Sequence, residues 1–196
     1  MPRPKTHDET LRLRLLDRAG ELLVQEGAKA LSLRRLAADA ETSTTAVYSL
    51  FGSKPDLVNA VYVEGFTRFG TRLREVAGTD DPAEDVVRIG LAYRDAALAD
   101  RHLYSVMFTG AVPGFEPNGE SSRLALRALE PLWDAVGAGL KAGVFADVDV
   151  ETIAVGCWAC VHGLVSLELN TGLARQINFC QTYERSLRAT VDGWRR

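Results

Sequence analysis

Between Glu151 and Glu168 the chain runs for 16 residues, Thr152 to Leu167, without an Asp, Glu, Lys or Arg. Such a run has two physical outlets. It can enter a bilayer, which takes about 20 apolar residues, or it can form a helix apolar on nearly every face and buried between neighbouring helices. The run is short for the first outlet and is bracketed by carboxylates, so burial is expected and a membrane span is not. A buried helix needs a shell of amphipathic partners.

The rest of the sequence supplies them. From His7 to Glu26, the residues Leu11, Leu15, Ala19, Leu22 and Leu23 recur at three- and four-residue steps, and Gly27 stands where a helix ends. Ser32 is placed to cap a short helix with Leu33, Leu36 and Ala37 inward, and Ser43 to cap another over 44–51. Only the polar turn Asp39 to Thr42 separates them. Gly52-Ser53 stops the third helix. Pro55 and Asp56 suit the first turn of a fourth, which Leu57, Val58, Val61, Tyr62, Phe66, Phe69 and Leu73 carry to about Ala77.

Beyond the break at Gly78 to Pro82, helical periodicity returns at 83–99, 101–108, 119–142, 150–171 and 175–193, with a glycine- and proline-rich loop at 110–119. No strand alternation, low-complexity tract or long repeat interrupts this pattern. The predicted fold class is all-α.

A length of 196 residues, with 46% hydrophobic and 25% charged residues, is a globular balance that argues against disorder and a multi-span membrane protein. Three cysteines, Cys157, Cys160 and Cys180, do not make a secreted disulfide framework. The first residues lack an apolar signal core, so a cytoplasmic protein is expected. Cys157-x-x-Cys160 with His162 invites a metal or redox reading, but on a helix His162 lies about 140° from Cys157 and the side chains diverge. Buried apolar cysteines are expected, with no metal and no cofactor. Only His7, His102 and His162 are available as histidines, and no nucleophile–base motif or phosphate loop accompanies them, so no enzyme is expected.

Residues 33–51 fit a helix-turn-helix: a support helix, a tight turn, and a second helix whose first turn can face a major groove. That second helix opens with Ser43, Thr44, Thr45 and Ala46, small enough for close approach to phosphates and base edges, while Val47, Leu50 and Phe51 can anchor its other side. The ordered series Leu36-Ala37-x-x-Ala40-x-x-Ser43-x-x-x-Val47-Tyr48-x-x-Phe51-x-x-Lys54-x-x-Leu57 resembles the N-terminal signature of TetR-family transcriptional repressors, over roughly residues 8–60.

The resemblance implies an all-α homodimer with a DNA-binding domain at 1–54 and an effector-binding and dimerisation domain at 55–196. By position, Ser43 would cap the recognition helix and bind a phosphate, and Thr44, Thr45 and Ala46 would face the groove. Tyr48 and Lys54 would contact the backbone, with Arg34 beside them. Two departures stand out: Glu41 occupies the turn position where the family commonly has glycine, and Leu50 replaces a frequent histidine. A carboxylate at a position needing positive φ would be strained.

Trp158-x-x-x-His162-Gly163 is similar to the C-terminal domain of the WHG subfamily. The resemblance implies a small-molecule effector, and Tyr93, Met107, Phe108, Trp133, Trp158 and His162 are its candidate contacts, Trp158 and His162 lying about 40° apart on one helical face. Gly156 and Gly163 would let another helix approach closely. The stripe Phe179, Tyr183, Leu187, Val191 and Trp194 on the last helix is expected to pair with the preceding one across a two-fold axis, through about 150–193. A helical small-molecule binder without DNA binding is the alternative.

Net charge sharpens the partner. The chain totals −3, but residues 1–54 carry nine Lys/Arg against seven Asp/Glu, a net of +2, and the remainder carries 14 against 19, a net of −5. Arg3, Lys5, Arg12, Arg34, Arg35 and Lys54 make one end modestly basic. That excludes a uniformly basic nucleic-acid coat and fits a regulator that reads one operator.

Overall fold

The computed structural model describes residues 5–76, 78–110, 112–169, 172 and 176–196, with side chains from residue 9 onward. The expected helix ends at Ala77 and Thr171, the start at Arg175, and the side chains of Arg3, Lys5 and His7 lie outside the described residues. Among those described there are ten helices and no strand, only an isolated bridge between Phe145 and Arg195. The fold is all-α, as the periodicity predicts.

The helices are α1 (Lys5–Gln25), α2 (Leu33–Asp39), α3 (Thr44–Phe51), α4 (Lys54–Arg74), α5 (Pro82–Ala99), α6 (Arg101–Phe108), α7 (Gly119–Arg127), α8 (Glu130–Lys141), α9 (Val150–Leu169) and α10 (Phe179–Asp192). The single helix expected at 119–142 is two. Pro131, in the first turn of α8, has no N–H to give to a preceding turn and disfavours a helical residue before it, so the chain turns at Ala128 and Leu129 and restarts.

Two compact units result: Met1–Thr67 with Asp100–Ala125, and Arg68–Ala99 with Leu126–Arg196. In the first, Leu15, Leu16 and Leu22 of α1, Leu36 of α2, Val47 of α3 and Leu57 of α4 are fully buried in one core. Leu103 and Val106 of α6 join it. Gly20 makes room for this, since a Cβ there would sit 3.2 Å from Leu103.

In the second unit, α5, α8, α9 and α10 pack on one another. Helix α9 contains the uncharged run within its 20 residues, so by length and composition alone it is long enough to cross a membrane. Its packing differs from the expectation of burial on nearly every face. Ile153, Ala154, Cys157, Val161 and Val165 are buried, whereas Val155, Ala159, Ser166 and Leu167 are exposed. Sequence gives the polarity of each face but not the number of neighbours around it.

The stripe on α10 is spent inside its own unit: Phe179, Tyr183, Leu187 and Val191 are all buried there, with Tyr183 Oη donating to the Gly90 carbonyl at 2.8 Å. Those four side chains are therefore not available to a second subunit, contrary to the pairing expected of them. Of the two glycines on α9, Gly156 receives the Trp194 ring, 3.1 Å from where a Cβ would stand, and Gly163 faces open space.

Candidate nucleic-acid interface

Helices α2 and α3 are both started by serine. Ser32 Oγ accepts the Arg35 N–H and Ser43 Oγ the Ala46 N–H, each at 3.1 Å, which satisfies donors that a helix leaves orphaned. The turn between them is a Schellman motif: Thr42 N–H donates to the Ala37 carbonyl at 2.9 Å and Glu41 N–H to the Ala38 carbonyl at 3.1 Å. That motif puts its residue after the C-cap in the left-handed region, and Glu41 is there with φ 51°. Among the described residues it is the one non-glycine with positive φ. The strain expected from this departure is present.

Helix α3 is anchored by Val47 and Phe51, both buried, with half-buried Leu50 packed on the same core. The opposite face carries Thr45, Tyr48 and Ser49 in solvent, and Thr44 and Ala46 half-buried at the first turn. Tyr48 is 53% exposed, so its ring is no wedge in the small domain. Ser49 shares that face and was not among the expected contacts; its spacing of four from Thr45 is the signal that could have found it.

The basic residues are less free than the charge count suggests. Arg35 makes two bonds to the Glu26 carboxylate, at 2.8 and 2.6 Å, and holds that carboxyl below its usual range. Arg12 lies 3.4 Å from both Glu9 and Glu64. Lys54 Nζ donates to the Ala28 carbonyl at 2.6 Å. Arg34 is exposed. Two further arginines, which sequence reasoning did not single out, brace the motif: Arg18 bonds Asp39 at the end of α2 at 2.9 Å, and Arg14 donates to the Ala40 carbonyl at 2.7 Å. Their partners lie 21 and 26 residues away, so no local pattern announces them.

Residues 15–61 match the family described as "Bacterial regulatory proteins, tetR family", and residues 86–193 match "Tetracyclin repressor-like, C-terminal domain". The chain belongs to the TetR family. Its similarity to the HTH-type transcriptional regulator Rv1816 of Mycobacterium tuberculosis (strain ATCC 25618 / H37Rv) is 25% identity over 139 residues, covering 69% of this chain and 59% of that protein. The match thus spans less than two thirds of the curated relative. Among solved structures, a protein of unknown function from Rhodococcus sp. RHA1 superposes with a TM-score of 0.80 at 24% identity, over 95% of this chain and 96% of the other. A TetR family transcription regulator from Marinobacter aquaeolei VT8 does so with 0.79 at 18%, over 98% and 99%. These two share the TetR fold.

The C-terminal residues expected around an effector separate into groups. Tyr93 of α5 and Trp158 and His162 of α9 come together. Trp158 Nε1 lies 3.4 Å from Tyr93 Oη, and Oη lies 3.1 Å from His162 Nδ1. An indole N–H can only donate, so the tyrosine oxygen accepts it, and a neutral imidazole shares one hydrogen bond with the same oxygen. Burial lowers the His162 pKa and so favours the neutral imidazole. The enclosed void beside Tyr93 is only about 10 Å³, too small to hold a water. Met107 and Phe108 belong to the first unit, where Met107 abuts Gly65 and Phe108 meets Phe66 edge-on at 5.2 Å. Trp133 is half-buried on α8.

The cysteines are free thiols. Burial pushes Cys157 up to about 11, away from thiolate chemistry, and Cys160 Sγ lies 3.2 Å from the Thr190 hydroxyl oxygen. Among the described residues no three His, Cys, Asp or Glu gather as a metal site.

Proposed function

We propose that this TetR-family protein is a DNA-binding transcriptional regulator, a ligand-responsive repressor that binds a near-palindromic operator as a homodimer. The observation that carries this reading is the exposed face of α3: Thr45, Tyr48 and Ser49 stand in solvent on a helix fixed from behind by Val47 and Phe51 and from its start by Ser43. A helix held this way can enter a major groove without rearrangement. Thr44, Thr45 and Ala46 read base edges, while Ser43, Tyr48, Arg34 and Lys54 position the helix on phosphates.

Dimerisation through α9 is supported by Val155, Ala159 and Leu167, apolar and small residues that a single chain leaves in water. Binding successive major grooves requires such a dimer to hold its two recognition helices about 34 Å apart. The Trp158-x-x-x-His162-Gly163 pattern supports a C-terminal half of the WHG type, in which Tyr93, Trp133, Trp158 and His162 serve a small apolar or aromatic effector. A ligand preferring a different separation of the recognition helices, felt through α4, shifts the population away from the DNA-bound state. The setting is the cytoplasm.

The test is selection of bound sequences from genomic DNA by the full chain. A palindromic consensus with half-sites one helical turn apart is expected, with affinity falling as salt rises. Thr45→Ala should change the consensus and Arg34→Ala should weaken all sites alike. Retention of DNA with no consensus, or of none, overturns the reading.

A further inference from the structure

Lys54 also borders an open-mouthed cavity of about 470 Å³ within the first unit, where the first turns of α4 meet the α1–α2 loop at Ala28 and the loop at 112–118. That volume lies in the range of small-molecule sites. Pro55 and Val58 of α4 and Val112, Pro113 and Phe115 of the loop make its wall apolar. The loop side of that wall has a defined shape. Val112-Pro113-Gly114-Phe115 is a type II turn, with proline second, Gly114 third at φ 75°, and the Phe115 N–H donating to the Val112 carbonyl at 3.2 Å. Val112 and Phe115 both rest on the core of this unit, and the Phe115 ring centroid lies 5.6 Å from that of Tyr62.

Both signs of charge border the wall. Lys54 gives one of three ammonium protons to the Ala28 carbonyl and keeps two. Asn118 Oδ1 accepts the N–H groups of Glu120 and Ser121 at 3.1 and 2.9 Å, and Asn59 Oδ1 accepts the Ser121 hydroxyl at 2.9 Å, so each amide has its NH2 left to donate. Two carboxylates stand against these donors. Asp56 forms a capping box with Ser53, whose hydroxyl its Oδ2 accepts at 2.5 Å, and among the described residues its Oδ1 has no donor. Glu116 is exposed and, among the described residues, pairs with no cation. An anion in this cavity would meet Asp56 and Glu116, a cation would meet Lys54, and an uncharged body would forgo both pairings. A molecule that carries both charges satisfies both.

We propose that this cavity is a small-molecule site for an apolar zwitterion, an amino acid or close analogue whose carboxylate pairs with Lys54 and the two amides, whose ammonium pairs with Glu116 and Asp56, and whose apolar body lies against the wall. An occupied cavity withholds Lys54 from a DNA phosphate, a consequence that rests on the DNA-binding function proposed above. The zwitterion site does not rest on it.

Three ligands sharing one phenyl ring separate the contributions: phenylalanine, phenethylamine, which lacks its carboxylate, and hydrocinnamate, which lacks its ammonium. Calorimetric titration of the full chain should give phenylalanine the lowest Kd, about two- to fivefold below either analogue, the range of one partly exposed ion pair. Either analogue binding as tightly as phenylalanine overturns the site. Lys54→Met should bring phenylalanine to the level of phenethylamine without weakening phenethylamine. Glu116→Gln should bring it toward the level of hydrocinnamate while tightening hydrocinnamate, a gain that no folding defect can produce. Phenylalanine binding indifferent to both substitutions also overturns the site. Val112→Trp, which fills the cavity, should weaken all three ligands; a phenylalanine preference that survives it puts the ligand elsewhere and refutes the proposal. A selected operator duplex should weaken phenylalanine and spare phenethylamine, and a bound duplex that leaves phenylalanine in place overturns the competition alone. A chain that binds no DNA while the ligand preferences hold refutes the proposed function and the competition but leaves the zwitterion site standing.

Discussion

The guanidinium of Arg14 on α1 donates to the carbonyl of Ala40, the C-cap of α2, at 2.7 Å. It satisfies an acceptor that the end of a helix leaves open and holds the turn before the recognition helix against α1. Replacing it by methionine keeps the aliphatic stem and removes the bond. Arg14→Met should cost about 0.5–1 kcal/mol, below the range for a buried bond from a charged donor because the side chain is exposed. Urea unfolding followed by circular dichroism measures it, and an unchanged midpoint would show that the bond holds nothing.

Glu41 sits in the left-handed region at φ 51°. That conformation costs an L-residue about 1–2 kcal/mol, and glycine escapes it while surrendering about 0.5–1 kcal/mol of chain entropy on folding. Glu41→Gly should therefore stabilise the chain by about 0.5–1 kcal/mol, a rise of roughly 2–3 °C in Tm for a chain of this size. Glu41→Val should do the opposite, because a β-branched side chain tolerates positive φ least. If the ordering is reversed in a thermal melt, the strain is not stored in this turn.

These two residues mark the limits of what the sequence discloses. Ser32 and Ser43 were legible as caps because a cap acts within three residues of its own position. Glu41 was legible only through the family resemblance, which puts glycine at that turn position, and the Schellman turn supplies the physical reason. Arg14 and Ala40 were not, since their bond spans 26 residues and neither residue type is unusual where it stands. The faces of α9 were half legible: absence of charge marks a helix that can be covered, but the coverage is set by α5, α8 and α10, which leave Val155 and Leu167 in water. The α10 stripe shows the same ambiguity, its period being equally good for its own core and for a partner.

His162 gives a pH dependence of definite sign. Burial lowers its pKa in the folded chain below the ordinary value of 6.5. Above pH 6.5 both folded and unfolded chains hold a neutral imidazole, so the full contribution is present. As pH falls through 6.5 the unfolded chain binds a proton that the folded chain refuses, and stability is lost until the lowered folded value is passed. The wild type should lose more stability than His162→Gln between pH 7.5 and 5.5 in matched urea titrations. Parallel losses in the two proteins would mean that His162 is protonated equally in both states.

Glu168 closes the uncharged run on α9, and its carboxylate takes two bonds from Arg94 of α5, at 2.7 and 2.6 Å. The same guanidinium lies 5.4 Å from the Tyr183 ring centroid of α10, so one cation ties three helices. Both side chains are largely withdrawn from solvent, at 17% and 14% exposure, and the carboxylate drives the arginine pKa further upward. Arg94 therefore stays charged whatever is done to its partner. Glu168→Gln would leave a half-desolvated guanidinium without its counter-charge and should cost about 2–3 kcal/mol. Replacing both, as Arg94→Met with Glu168→Leu, removes the desolvated charges together and should recover most of that loss. A double-mutant cycle in urea reads the difference. A double variant no more stable than Glu168→Gln would mean that the cost comes from packing at these two positions and not from the stranded charge.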